Sequence, residues 1–417
     1  MEESDQGPVG PEIDFCTLGM FIIDEIHYLP PTPPAYNIPG GSGTYAVLGA
    51  RLFSPPPTSQ TISWIVDQGS DFPESITTEI RSWNTTCVFR SGETRLTTHA
   101  WNGYDEHENR AFKYTTPKLR LGADSLTPEL LFSKSFHLNC SPTRCVELVR
   151  TILHYRKSIS PVHPKPLFIW EPVPDLMVPS ELLNLTNALP YIDVCSPNHQ
   201  ELAALMGDPF HGLDPATNEI LTVSVERACE QLMGSMPLST FAVVVRCGEK
   251  GIYVGKNGGH TRRQGKKKRP VNYARGGLTM DMDMESLFAG LVSADGTVEF
   301  EQPFVDPGID RWLPAYFGKE SQDRVVDPTG GGNGFLGGLA VALARHKPLV
   351  EASAWGSVAA SFCIEQVGVP VLSTDSEGHE LWNGDSVSVR LQQYMGCIER
   401  PELMEQVSSG FGGMVLS

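Results

Sequence analysis

No stretch of the chain is apolar for the ~20 residues that a bilayer-spanning helix needs, so no transmembrane helix and no membrane partner are expected. Basic residues are in short supply. Lys and Arg number 32 against 49 Asp and Glu, a formal charge of −17, and such a balance repels phosphate polymers and argues against nucleic acid as a partner. Met1–Pro11 has neither the basic start nor the apolar stretch of a signal peptide. The nine cysteines form no CxxC pair, and no Cys/His group has zinc spacing. Cys16, Cys195, Cys247 and Cys363 sit inside apolar runs and read as small buried residues, which suits a reducing, cytoplasmic compartment. No internal repeat is evident. With 40% apolar and 19% charged residues, neither wholesale disorder nor a fibrous repeat fits.

What is present is an alternation of strands and helices. Residues 13–23 form a β-branched apolar run ending at Asp24, read as a buried strand with an acid at its carboxyl end. A Pro-rich loop follows, and then GGSG at 40–43 opens a helix with apolar Tyr45, Leu48 and Leu52. SWIVDQG at 63–69 reads as a strand. Residues 86–116 alternate and hold Ser91-Gly92 and Asn102-Gly103 as turns, a small β-rich excursion. Strand and helix then alternate as far as FAVVVRCG, the signature of a parallel sheet covered by helices. Residues 255–324 break that rhythm and read as an insertion. It carries RRQGKKKR at 262–269, a solvated loop or else a nuclear signal or phosphate clamp.

The sharpest chemical feature is DPTGGGNGFLGGLAVAL, Asp327 to Leu343. Val325-Val326 closes a strand, three glycines follow, and an apolar helix starts at once. Glycines let several N–H groups face one point, and a helix N-terminus adds partial positive charge. Gly330, Gly331 and Gly332 therefore make an anion site fit for a transferring phosphate. In SPNHQE, Asn198 and Glu201 face the same way around one helical turn. They could hold a hydrated Mg²⁺ against phosphates, or simply form a capping box. VVVRCGEKGIYVG at 243–255 reads as two strands around a glycine turn. Asp24 with Gly40 and Gly41 is the pattern of an acid that binds a sugar hydroxyl at a strand end.

Taken in order, GGSGTYAVLGARL, WEPVP, PNHQE, CGEKGIYV and DPTGGGNGFLGG resemble the ribokinase-like (pfkB) family of carbohydrate and nucleoside kinases, from about Phe15 to Pro370. WEP with DPTGGGNGFLGG is most similar to a fungal branch that includes the killer-maintenance type proteins of yeast. The resemblance implies an α/β three-layer sandwich with a mostly parallel central sheet and a β-rich lid. Residues 1–12 and 401–417 would be tails around a domain at 13–400, with lid parts near 25–40 and 86–116. It implies transfer of the γ-phosphate of ATP to a hydroxyl of a small metabolite, with Mg²⁺. The oligomeric state does not follow from the sequence, but an exposed lid sheet often pairs with a copy of itself, which would give a homodimer through the lid. Asp24, Gly40 and Gly41 would bind substrate, Asn198 and Glu201 the metal and phosphate, and Arg246, Gly248 and Gly251 would flank the nucleotide. Gly330, Gly331 and Gly332 would form the anion hole.

The departures from the family pattern are specific. Asn333 stands where the family has the aspartate that takes the hydroxyl proton. An amide does not take that proton, and loss of a general base costs ~10²–10⁴ in rate. Asp327 could substitute, or the Asn333-Gly334 pair could deamidate. Tyr45, Val173, Asp175 and Arg246 also depart from the family's usual residues. Two readings stand: a phosphotransferase, and a catalytically impaired relative that binds a ligand or partner.

Overall fold

Alternating side chains put each central strand into two cores at once. Phe15, Trp64, Ile169 and Val244 point into one apolar cluster, while their neighbours Cys16, Ile65, Trp170 and Val245 point into the other. Both faces of the sheet are therefore covered by helices. The computed structural model describes residues 12–104, 110–260 and 305–399.

The nine strands run, in spatial order, Ile309–Leu313, Ile252–Lys256, Ala242–Arg246, Val194–Cys195, Leu167–Pro172, Ser135–Cys140, Phe15–Thr17, Ile62–Gln68 and Thr86–Ser91. Ile252–Lys256 pairs antiparallel with both of its neighbours, and every other pairing in the sheet is parallel. Helices Gly41–Arg51, Gly331–Ala344 and Leu349–Ile364 cover one face. Pro142–Ile159, His199–Leu205 and Thr222–Ser235 cover the other. This is the expected three-layer sandwich. A second sheet, in the order Ala35–Gly40, Ile22–His27, His99–Tyr104 and Arg110–Tyr114, forms the lid.

Four local expectations need correction. The run at 13–23 is not one strand: Phe15–Thr17 belongs to the central sheet, and after a break Ile22–His27 belongs to the lid. Asp24 thus rides on the lid rather than at the end of a central strand. Within 86–116, Thr86–Ser91 is the edge strand of the central sheet, in parallel register with Ile62–Gln68, and only the later part is lid. Asn102-Gly103 is no turn; both lie inside the strand His99–Tyr104, opposite Phe112 and Ala111. Val325-Val326 is not a strand either. It leaves the 3₁₀ segment Lys319–Arg324, and Val326 is tied by its N–H to Ile364 O at 2.8 Å.

The ends of the expected insertion are part of the core. Ile252–Lys256 and Ile309–Leu313 pair over five registered residues. The basic run at 262–269 lies outside the described residues, as do both tails beyond 12 and 399. All nine cysteines are free thiols, and Cys16, Cys195, Cys247 and Cys363 are fully buried. No described helix is long and apolar enough to cross a membrane.

His137 shows how strongly this core excludes charge. It is fully buried on Ser135–Cys140, with Nδ1 2.9 Å from Thr17 Oγ1. Burial pushes its pKa down from 6.5 to about 4, with Glu171 opposing and Arg246 reinforcing. Between those values the unfolded chain takes up a proton that the folded chain refuses, so stability present at neutral pH is lost as the pH falls. Unfolding free energy, measured by urea denaturation from pH 7 to 4.5, should fall in the wild type more steeply than in His137→Asn, by up to ~1.4 kcal/mol per pH unit. Parallel slopes would contradict this assignment.

Candidate active site

Two cavities meet at the head of the helix Gly331–Ala344. One, of about 470 Å³, lies under the lid and is lined by Asp24, Gly41, Tyr45, Gly330 and Asn333, among others. The other, of about 420 Å³, lies toward the antiparallel edge of the sheet. Asn198, Arg246, Gly248, Gly251, Gly331 and Gly332 line it. The glycine turn is the wall between them.

The turn is dictated by its residues. Gly330 has φ +82°, in the left-handed region, and a Cβ there would meet the Tyr45 ring at 2.3 Å. Gly331 N–H donates to Pro328 O and Gly334 N–H to Gly330 O. Between them, the N–H groups of Gly332 and Asn333 meet no backbone acceptor among the described residues. Unpaired amides at the start of a 14-residue helix carry the positive end of its dipole, so an anion is favoured here.

Arg246 reinforces that charge. A Cβ at Gly332 would lie 1.8 Å from its Nη1, so only glycine lets the guanidinium come this close to the turn. Arg246 Nη2 is 2.6 Å from Glu171 Oε1 and 3.8 Å from Glu201 Oε2, and it donates to Ser196 O at 3.0 Å. Glu171 Oε2 in turn accepts from Asn139 Nδ2 at 2.6 Å. Asn139 lines the lid cavity and Arg246 the other, so one chain of polar groups joins the two through the buried Glu171.

On the lid side, Asp24 is buried, and its Oδ1 accepts from Asn102 Nδ2 at 3.0 Å. A Cβ at Gly40 would lie 1.9 Å from Asp24 Oδ2, so that glycine makes room for the carboxylate. Asn333 Oδ1 is buried with no hydrogen-bond partner among the described residues, although Asn333 lines the lid cavity. Asp327 is buried too, but its Oδ1 accepts from Thr329 N–H at 2.9 Å and it lines neither cavity. Its carboxylate shapes the turn.

Comparison with known proteins agrees with this fold. A model of the pfkB family of carbohydrate kinases matches residues 318–375, the segment that holds the glycine turn. Protein MAK32 of Saccharomyces cerevisiae is 32% identical over 389 residues, 91% of this chain and 91% of that one. An uncharacterized Schizosaccharomyces pombe protein, C16C9.01c, is 30% identical over 384 residues, 92% of this chain and 93% of that one. The chain belongs to the pfkB family, in a fungal branch with MAK32. A ribokinase from Cryptococcus neoformans, solved in complex with ADP, superposes with a TM-score of 0.57 at 16% identity. It covers 92% of this chain and 100% of its own, and the likeness is one of fold.

The pfkB family implies Mg²⁺, and Asn198 with Glu201 is the pair expected to hold it. The pair forms a capping box instead. Asn198 Oδ1 accepts from Glu201 N–H, and Glu201 Oε2 accepts from Asn198 N–H, both at 2.8 Å. Burial pushes the Glu201 pKa up, opposed by Arg246, with Glu171 adding to the rise. Among the described residues no three His, Cys, Asp or Glu groups converge as a metal cluster. The box engages Asn198 Oδ1 and Glu201 Oε2, and a Mg²⁺ bound beside them would be held as a hydrated ion, through its waters. The fixed cation at this point is Arg246.

Asn102, Asn139 and Glu171 escaped the sequence reading of the site. Asn102 was hidden because Asn-Gly is the commonest hairpin signal. Asn139 and Glu171 did leave a trace: each is a polar residue near the carboxyl end of a largely buried strand, where open α/β sheets form their crevices. Glu171→Ala would leave the partly buried Arg246 without its nearest carboxylate, and a loss of up to ~3–5 kcal/mol is expected. Urea denaturation measures it, and a loss below ~1 kcal/mol would show that the pair carries little of the local order.

Proposed function

We propose that the chain transfers the γ-phosphoryl group of ATP to a hydroxyl of a small sugar- or nucleoside-like metabolite, slowly, because Asn333 replaces the base. The nucleotide lies in the 420 Å³ cavity, and the acceptor lies under the lid with a hydroxyl held by Asp24. The acceptor oxygen attacks phosphorus, the bond to the ADP oxygen breaks, and the unpaired amides of Gly332 and Asn333, with Arg246, take the charge on the transferring group. Asn333 Oδ1 accepts a hydrogen bond from the attacking hydroxyl and so orients it. The proton itself passes to the phosphoryl oxygens as transfer completes. The partnerless Asn333 Oδ1 beside those amides is the observation that carries this reading.

The same amide supports a second reading, a relative that keeps the ligand sites for binding or assembly and has lost turnover. One assay separates the two. ADP formation from ATP is followed across a panel of sugars and nucleosides for the wild type and for Asn333→Asp. The phosphotransferase reading expects low but saturable turnover in the wild type with at least one acceptor, raised by ~10²–10⁴ in Asn333→Asp. Turnover in the variant alone would support the second reading, and none in either would reject the first.

A further inference from the structure

The lid cavity carries more positive charge than a neutral acceptor needs. Lys118 and Arg120, on the segment leaving the lid, line it together with Arg144, in the first turn of Pro142–Ile159. Among the described residues, none of the three forms an ion pair with a carboxylate. Arg51, Arg90, Arg246, Arg324, Arg345 and Arg390 all do, and Arg81, Arg150, Arg156, Arg227 and Arg311, which do not, line none of the described cavities. Arg144 Nη2 donates to the neutral Leu121 O at 2.8 Å, which anchors the guanidinium without discharging it. Lys118 Nζ stands 4.1 Å from the centre of the Tyr114 ring, another neutral partner. Ser141 Oγ accepts the Arg144 N–H at 3.3 Å, so the positive end of an 18-residue helix opens on the same wall.

The acids on the cavity wall do not cancel this. Asp24 and Asp175 are the carboxylates that line it, two against three cations. Asp24 is already the hydroxyl-binding group, held by Asn102. In a chain whose net charge is −17, three cations left without carboxylate partners around one cavity mark a place prepared for an anion.

We propose that the molecule under the lid is itself anionic: a sugar-like compound bearing a phosphate or a carboxylate, seated by Lys118, Arg120 and Arg144. The proposal deepens the phosphotransfer reading, since it names the class of acceptor, but it is a claim about binding and stands or falls without turnover. Calorimetric titration of the full chain tests it with matched pairs: ribose and ribose 5-phosphate, fructose and fructose 6-phosphate, glucose and glucuronate. At least one anionic member should bind roughly tenfold or more tighter than its neutral parent. The glucuronate arm tells carboxylate from phosphate.

Arg120→Gln with Arg144→Gln should abolish that preference. Arg150→Gln, exposed on the same helix and not on the cavity wall, should leave it intact. Should the double variant fail to fold by circular dichroism, Lys118→Gln replaces an exposed side chain and should reduce the preference alone. Neutral members binding as tightly as their anionic partners would overturn the proposal. So would a preference that survives the substitutions, or no binding by any anionic member. Selective anion binding without phosphotransfer would instead overturn the phosphotransfer reading and leave this one standing.

Discussion

The ion pair of Arg246 and Glu171, 2.6 Å apart under the glycine turn, is the constraint around which both cavities are arranged. Taking two charges out of water is costly, and such a pair adds little to net stability, so its value here is position. It sets a guanidinium against Gly332, holds it 3.8 Å from Glu201, and through Asn139 reaches the wall of the lid cavity. With it, a phosphate entering the turn meets two free amides and a fixed cation. Without it, the same phosphate meets the carboxylates of Glu171 and Glu201.

The fold serves this arrangement by separating tasks. Strands buried on both faces hold their carboxyl ends rigid, and Glu171, Ser196 and Arg246 all lie at those ends. The helix Gly331–Ala344 is apolar nearly all round and is packed between Gly41–Arg51 and Leu349–Ile364, so its amides are aimed by the core rather than by a loop. The lid supplies Asp24 and Asn102 from a second sheet. One chemistry is thus divided between a rigid floor and a separate cover.

The sequence made the sandwich legible because its evidence is local. Apolar runs alternate with amphipathic helices, and the glycine turn sits where a strand-like run meets a helix. The positions of Asn198, Gly248, Gly251, Gly331 and Gly332 around one cleft follow from that order, with Gly330 on the lid side. What was not legible depends on contacts distant in sequence. The division of 13–23 between two sheets turns on a short break at Leu18–Phe21 that periodicity does not reveal. Asn102 read as a turn because its partner, Asp24, is 78 positions away. Arg246 read as a substitution beside a nucleotide, and only the packed structure brings Glu171, Glu201 and Gly332 around it. The capping box at Asn198 and Glu201 was visible as one of two readings, and the structure contains it.

The claim beneath all of this is that the amides of Gly332 and Asn333, with Arg246, form one seat for a terminal phosphate at the boundary of the two cavities. A crystal structure with a non-hydrolysable ATP analogue tests it most directly. The account predicts the γ-phosphate oxygens within hydrogen-bond distance of both N–H groups and of the Arg246 guanidinium. A nucleotide bound elsewhere, or one whose phosphates turn away from residues 330–333, would contradict it.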